Sequence, residues 1–295
     1  MYASHSARRA APSLVDGEFA FTAEDLRFIA AIVHEQSGIV LSDAKAALVY
    51  SRLAKRLRVL GLRSFGEYRS RLADERGTER REMLAALTTN VTRFFREPHH
   101  FEHLKTRVLP PLLQKAREGG RIRLWSSACS SGQEPYSMAL TLLSVMPEAG
   151  RYDIRILATD IDPNMVAQGR EGCYGDSDIA GVPAPSRRWF IAAASDSSKR
   201  WQVCDELRRL VTFRELNLIG DYPMKGRFDA IFCRNAVIYF DDATQVTVWA
   251  RLTRMLTAGG ALYIGHSERV TGDAQAFLRP DGVTTYRHHQ AAGSP

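Results

Sequence analysis

With 295 residues, 45% hydrophobic and 25% charged, the chain can bury a large core and is long enough for two domains. No apolar run is long enough to cross a bilayer and no apolar segment follows the basic N-terminal residues, so a cytoplasmic protein without direct membrane insertion is expected. The cysteines, Cys129, Cys173, Cys204 and Cys233, are scattered without a C-x-x-C pair, which predicts reduced thiols and no metal site.

The net charge of +7 is concentrated. The run from Arg52 to Arg81 holds ten Lys/Arg against Glu67, Asp74, Glu75 and Glu79, an excess that suits an acidic partner, although a solvated helical face is the commoner cause of such a run.

Along the chain, residues 1–18 lack periodicity and read as a disordered tail. Thr22 and Asp25 form a capping box ahead of Leu26, Ile29, Ala30 and Val33 at helical spacing. A second helix follows Ser42, with Val49, Leu53, Leu57 and Leu60 on one face and Arg52, Lys55, Arg56 and Arg58 off it, and Gly61 ends it. Ser64 and Glu67 box a third helix, and Thr78 caps a fourth through Met83, Leu84 and Leu87. Residues 19–90 therefore predict a small all-α bundle.

From Pro98 the pattern becomes α/β. A helix carrying Phe101, Leu104 and Val108 is expected to stop at Pro110 and Pro111. Strands follow at Ile122 to Trp125, Ile154 to Ala158, Phe228 to Cys233 and Ala261 to Gly265, with a helix from Asp242 closed by Gly259 and Gly260. This alternation predicts a mostly parallel doubly wound sheet. The rhythm breaks over about 172–215, where Trp201 to Val203 and Leu210 to Phe213, with a polar SDSSK turn, predict a small antiparallel β-subdomain inserted into the α/β domain. Residues 291–295 read as a tail.

The segment IRLWSSACSSGQEPYS, followed by DIRILATDID, is a strand, a small-residue loop and a helix, then a strand ending on Asp160, a carboxylate able to grip a ribose diol. The G-x-G-x-x-G fingerprint is absent, and the segment taken alone is equally compatible with a βαβ unit that binds nothing. In a doubly wound sheet the loop Ser126 to Glu134, Asp160, Arg234 and Asn235 share one edge, with Asn217 a fourth strand-end candidate; Asn217 and Asn235 could each simply cap a turn. In NVTRFFRE the paired phenylalanines read as core, and Arg96 reads as a fixed cation for a carboxylate if the segment folds over the cleft. No nucleophile motif is present, and GHSE at Gly265 to Glu268 reads as a structural turn.

The blocks NVTRFFREPHHF, LWSSACSSGQEPYS, ATDID, VTFRELNL, FDAIFCRNAVIYFD and IGHSE together resemble the chemotaxis receptor glutamate methyltransferases, the CheR family, over Phe21 to Tyr286. The resemblance implies a class I S-adenosylmethionine-dependent methyltransferase domain over 91–290 behind the helical domain. It implies cofactor contacts from Asn90, Thr92, Arg96, Glu134, Asp160, Asn217, Leu218, Arg234 and Asn235, with Arg96 and Tyr239 at the methyl-transfer centre and S-adenosylhomocysteine as product. The implied substrate is the glutamate side chain of a methyl-accepting chemoreceptor; the basic run, with Arg52, Lys55, Arg56 and Arg58 off the apolar stripe of the second helix, is expected to dock its acidic flank. A nucleic-acid methyltransferase is the weaker alternative, because CRNAVIYF lacks the N-P-P-[YF] pattern that holds a flipped base, so nucleic acid is not an expected partner. A cofactor-binding regulator without catalysis is disfavoured by the presence of both Arg96 and Tyr239.

Overall fold

The computed structural model describes residues 12–74, 77–193 and 199–289, and the chain forms two compact units, residues 1–88 and 89–295. Residues 1–11, Glu75, Arg76, most of the SDSSK turn and the C-terminal tail lie outside the described residues.

The first unit holds α1 (Ala23–Ser37), α2 (Ala46–Leu60), α3 (Phe65–Leu72) and α4 (Glu79–Leu87). The Thr22 box forms in full: its hydroxyl accepts from the Asp25 N–H, while Asp25 accepts from the Thr22 N–H at 2.9 Å. The Ser64 box is half made. Ser64 accepts from the Glu67 N–H, but the Glu67 carboxylate turns to the Arg63 N–H. Thr78 caps α4 by position without a side-chain bond. Leu26, Ile29, Val33, Val49, Leu53, Leu57, Phe65, Tyr68 and Leu72 fill the core. Residues 12–18 are not a loose tail. Phe19 and Phe21 join an aromatic cluster with Tyr50 and Phe65, Ser13 bridges to Thr22, and a β-carbon on Gly17 would lie 1.9 Å from the Tyr50 hydroxyl.

The basic run over 52–81 is largely spent inside this unit, which corrects its assignment as a docking surface at two positions. Arg52 donates to the carbonyls of Leu87 and Thr88 at 2.8 and 2.6 Å, satisfying the end of α4. Arg56 forks onto Glu79 at 3.1 and 2.6 Å, and Glu79, with a side chain 5% exposed, also accepts from the Tyr68 hydroxyl. Burial and Glu79 together hold the Tyr68 hydroxyl well above its ordinary titration range. Arg69 pairs with Glu24 and Asp25, and Arg58 with Glu18. These acids lie outside the run, so a count along the chain overstated the free charge. Lys55 and Arg58 remain on the exposed face of α2. Arg56→Ala is expected to lower the stability of this unit by about 3–5 kcal/mol by stranding the buried Glu79 carboxylate. A urea melt of the variant matching that of the wild type would contradict the inward role.

The second unit begins with α5 (Pro98–His103) and α6 (Leu109–Arg117). The helix does not stop at Pro110 and Pro111. The turn Leu104–Val108 widens to π spacing, and both prolines sit in the first turn of α6, where their missing N–H groups cost little. Then follow β1 (Ile122–Ser126), α7 (Gln133–Val145), β2 (Ile154–Asp160), α8 (Pro163–Glu171), β3 (Cys173–Gly175), α9 (Asp176–Ile179), β4 (Phe190–Ala192), β5 (Arg200–Val203), α10 (Asp205–Arg209), β6 (Val211–Glu215), β7 (Phe228–Cys233), α11 (Asp242–Arg254), β8 (Leu256–Ile264), β9 (Leu278–Gly282) and β10 (Thr285–His288).

The main sheet has the order β6-β2-β1-β7-β8-β10-β9, parallel through β8 and closed by the antiparallel hairpin β9–β10. Successive residues of β7 feed opposite faces: Ala230 and Phe232 join the core under α7, while Ile231 and Cys233 join the core under α11. Two expectations change. Leu210 to Phe213 is not part of the insertion, because Val211–Glu215 pairs in parallel with β2 as an edge of the main sheet, leaving β3-β5-β4 as the small antiparallel sheet. Gly259 and Gly260 lie within β8 rather than closing α11.

Candidate active site

The strand order reverses between β1 and β7, which places a crevice outside their carboxyl ends. Three clusters of contacts build it.

The first centres on Asp160 at the end of β2. Its carboxylate is 7% exposed and accepts from the Ser130 N–H at 2.7 Å and the Asp162 N–H at 3.0 Å. Each oxygen so engaged keeps acceptor capacity toward the crevice. The Asn90 amide donates to Asp162 at 3.0 Å, and the Asn90 carbonyl accepts from the Ser130 hydroxyl at 3.0 Å, which ties the chain entering this unit to the loop after β1. Burial raises the Asp160 carboxyl from 3.8 to about 6, against the opposing pull of its backbone donors. Ionising it therefore costs the empty fold some stability as pH rises through about 6.

The second cluster is a charged clasp beneath residues 94–97. Arg234, 5% exposed, reaches Glu134 at 3.0 Å and Glu97 at 3.4 Å and donates to the Arg96 carbonyl. Glu134, at the start of α7, also accepts from Ser126 at 2.7 Å. Burial raises the Glu134 carboxyl and Arg234 opposes the rise. Burial also raises Glu97, but Arg234, His266 and His100 outweigh it and hold that carboxyl below its ordinary value. The Phe95 N–H donates to Ser137 at 2.9 Å, and Phe94 packs edge-on against Tyr174 and Phe190. Phe95 and Glu97 have φ of 52° and 57°, so Arg96 sits between two residues in the left-handed region, a strained turn that this anchoring maintains. The Arg96 side chain is partly exposed, and among the described residues its guanidinium donates to the Val91 carbonyl alone, at 2.9 Å.

The third cluster fixes the loop after β7. The Glu268 carboxylate, 3% exposed, accepts from the N–H groups of Asn235, Ala236 and Val237 at 3.0, 3.0 and 2.8 Å and from Gly265 at 2.6 Å. Asn235 is thereby held at φ 58°, and the chain continues into the short helical turn Val237–Tyr239.

The expected residues are distributed among these clusters. Asn90 and Asp160 share the first, Arg96, Glu134 and Arg234 the second, and Asn235 and Tyr239 the third. Arg234 and Glu134 meet each other, so their charges form a buried pair below the crevice instead of an open ligand set. Asn217 accepts from the Ile219 N–H at 3.2 Å, capping the turn after β6, and Leu218 is buried against the α11 side of the core. Thr92 lies partly exposed on the segment leading to Arg96. Ser130 lies in the loop that the sequence already places at the cleft, whereas Glu97, Asp162 and Glu268 are site-building residues that only the structure reveals. The contacts that tie them across the site, Glu97 to Arg234, Asp162 to Asn90 and Glu268 to the loop after β7, join residues more than 30 positions apart, and no local pattern marks them. Glu97, His99 and His100 bring possible metal-ligand atoms within 4.8 Å of one another, but the Arg234 guanidinium against Glu97 opposes a dication there.

A nucleoside fits this crevice: the buried Asp160 retains acceptor capacity at the end of β2, beside the switch point of the strand order. Comparison with known proteins agrees. Residues 90–284 match the CheR methyltransferase S-adenosylmethionine-binding domain, and residues 24–88 match the CheR methyltransferase all-alpha domain. The chain is 54% identical over 259 residues to a probable chemotaxis protein methyltransferase of Rhizobium etli, covering 87% of this chain and 97% of that one. It is 41% identical over 282 residues to chemotaxis protein methyltransferase 2 of Pseudomonas aeruginosa (93% and 97%) and 39% identical over 267 residues to the Escherichia coli chemotaxis protein methyltransferase (88% and 89%). With both domains matched and the site assembled at the switch point, the chain belongs to the CheR methyltransferase family and uses S-adenosylmethionine.

Proposed function

We propose that this enzyme methylates glutamate side-chain carboxylates on the cytoplasmic helical domain of methyl-accepting chemoreceptors, forming methyl esters for sensory adaptation. The observation that carries this reading is Arg96. It is a permanent cation on a strained, anchored turn, and among the described residues its guanidinium is tied to one backbone carbonyl alone. Such a group suits an incoming carboxylate.

S-adenosylmethionine supplies an electrophilic methyl on a sulfonium. Asp160 would hold the ribose hydroxyls; Asn90, Thr92, Asn217, Leu218 and Asn235 would line the remainder, with Glu134 and Arg234 setting the floor. Arg96 would orient the receptor carboxylate, and Tyr239 would offer a hydroxyl near the reacting methyl. A glutamate with a reference pKa of about 4.3 is already ionised at neutral pH, so no general base is needed. Alignment of the two reactants for in-line transfer can lower the barrier by roughly 7–11 kcal/mol. The carboxylate oxygen gains the methyl as the sulfur–methyl bond breaks, leaving S-adenosylhomocysteine. Neutralising an acid on a helix changes its repulsion with neighbouring carboxylates, a direct route to altered signalling. Lys55, and Arg58 once it exchanges its exposed ion pair with Glu18, are the cations of α2 left for contact with an acidic receptor flank.

Incubation with methyl-labelled cofactor and separate candidate acceptors tests the reading. Receptor label that alkali releases as methanol supports it, whereas alkali-stable label or label on nucleic acid overturns it.

Cofactor binding adds a second check. Ionised Asp160 is the better acceptor for two ribose hydroxyls, so affinity for S-adenosylmethionine should fall as pH drops below about 6, by up to tenfold per unit. Asp160→Ala should weaken binding at least tenfold at neutral pH, since charge-assisted hydrogen bonds contribute about 1.5–3 kcal/mol each. Calorimetry of wild type and variant from pH 5 to 8 decides; equal affinities would remove Asp160 from the cofactor site.

A further inference from the structure

At the edge of the main sheet opposite the crevice, the N-terminal ends of β1, β7 and β8 enclose a cavity of about 320 Å³ lined by Lys115, Arg121, Arg123, Lys225, Arg227 and Asp229, with Thr257 at its rim. The cavity is separated from the crevice by the length of β1, about 15 Å at the usual rise per residue. Five cations face it. Arg123 is paired with Asp153 at 2.8 Å, and the buried Asp229 carboxylate is engaged by the Arg123 N–H at 2.8 Å. The side chains of Lys115, Arg121, Lys225 and Arg227 have no hydrogen-bonding or ion-pair partner among the described residues. They come from the end of α6, the turn before β1 and the loop before β7, so no single element requires them to be basic.

We propose that this cavity binds a small phosphorylated ligand carrying two or more phosphate charges. Five cations converge here against two acids, Asp153 paired with Arg123 and Asp229 held by the Arg123 N–H, so the remaining cations repel one another and a multivalent anion relieves that repulsion. Arginine forks pair with phosphate oxygens bidentately and lysines add mobile point charges, a mixed set suited to phosphates. The volume lies at the small end of the range for small-molecule pockets, about 300–1,000 Å³, and concavity favours a compact anion over an extended acidic chain. Its place at the far edge of the sheet keeps the site apart from methyl transfer.

The test uses the full chain with pyrophosphate and a nucleoside triphosphate as probes, by calorimetry and by thermal melting against sodium chloride at matched ionic strength. Saturable binding is expected with a melting shift beyond that of the salt control, together with at least tenfold weaker binding to an R121E/R227E double variant whose affinity for S-adenosylmethionine is unchanged. The proposal is overturned by shifts equal to the salt control, by undiminished binding to the double variant, or by displacement of the phosphates with S-adenosylmethionine. Binding of polyglutamate without binding of pyrophosphate also overturns it, by showing an acidic protein surface as the occupant.

Discussion

Arg96→Ala is expected to lower turnover by about 10²–10³-fold at saturating cofactor while leaving the melting temperature nearly unchanged. The scale is that of removing one preorganised charge-stabilising group from a reaction centre. Stability should be spared because the anchors of the turn are the Arg96 carbonyl, the Phe95 N–H and the Glu97 carboxylate, all of which survive the substitution. Arg96→Lys should recover little, since an ammonium cannot reproduce the planar fork. Steady-state kinetics with a receptor fragment decide the matter: an alanine variant that keeps near-normal turnover would remove Arg96 from the reaction.

Glu268→Ala is expected to destabilise this unit strongly by releasing the loop that it holds at the crevice. It strands four N–H groups that now converge on one carboxylate, and each buried donor left without an acceptor costs about 1–3 kcal/mol. If water reaches half of them, the loss is still roughly 2–6 kcal/mol, a fall of order 10 °C in a unit of this size. Glu268→Gln should lie between, because its amide keeps one acceptor oxygen of the two. The carboxylate also pays for its burial, which raises its pKa against the pull of the donors. A positioning role predicts that the glutamine variant, still folded, loses turnover more than cofactor affinity, since Tyr239 lies at the end of the loop that Glu268 holds. A glutamine variant with wild-type melting and wild-type kinetics would show the contact to be dispensable.

Much of the architecture was readable because its causes are local. Helical spacing, the Thr22 box, Gly61 and the switch to apolar strands after Pro98 act within a few residues, and the strand-loop-helix at Ile122 to Glu134 followed by a strand ending on Asp160 marks the crevice. Local rules failed where a long-range partner overrode them. Pro110 reads in sequence as a stop, yet a π-spaced turn ahead of it absorbs the missing N–H. Leu210 to Phe213 follows Pro183, Pro185 and the polar SDSSK run, which interrupt the α/β rhythm and suggest an insertion, but its pairing with β2 is a contact across more than 50 residues.

Charge shows the division most clearly. The sequence alone determined the total of +7 and the residue types able to hold a nucleoside and a carboxylate. Only the tertiary structure decided which charges are spent, because ion pairing depends on distances of a few ångströms between residues far apart in the chain. Folding turned Arg52 and Arg56 inward onto α4 and locked Arg234 between Glu97 and Glu134, whereas Lys115, Arg121, Lys225 and Arg227, unremarkable in sequence, came together around one cavity.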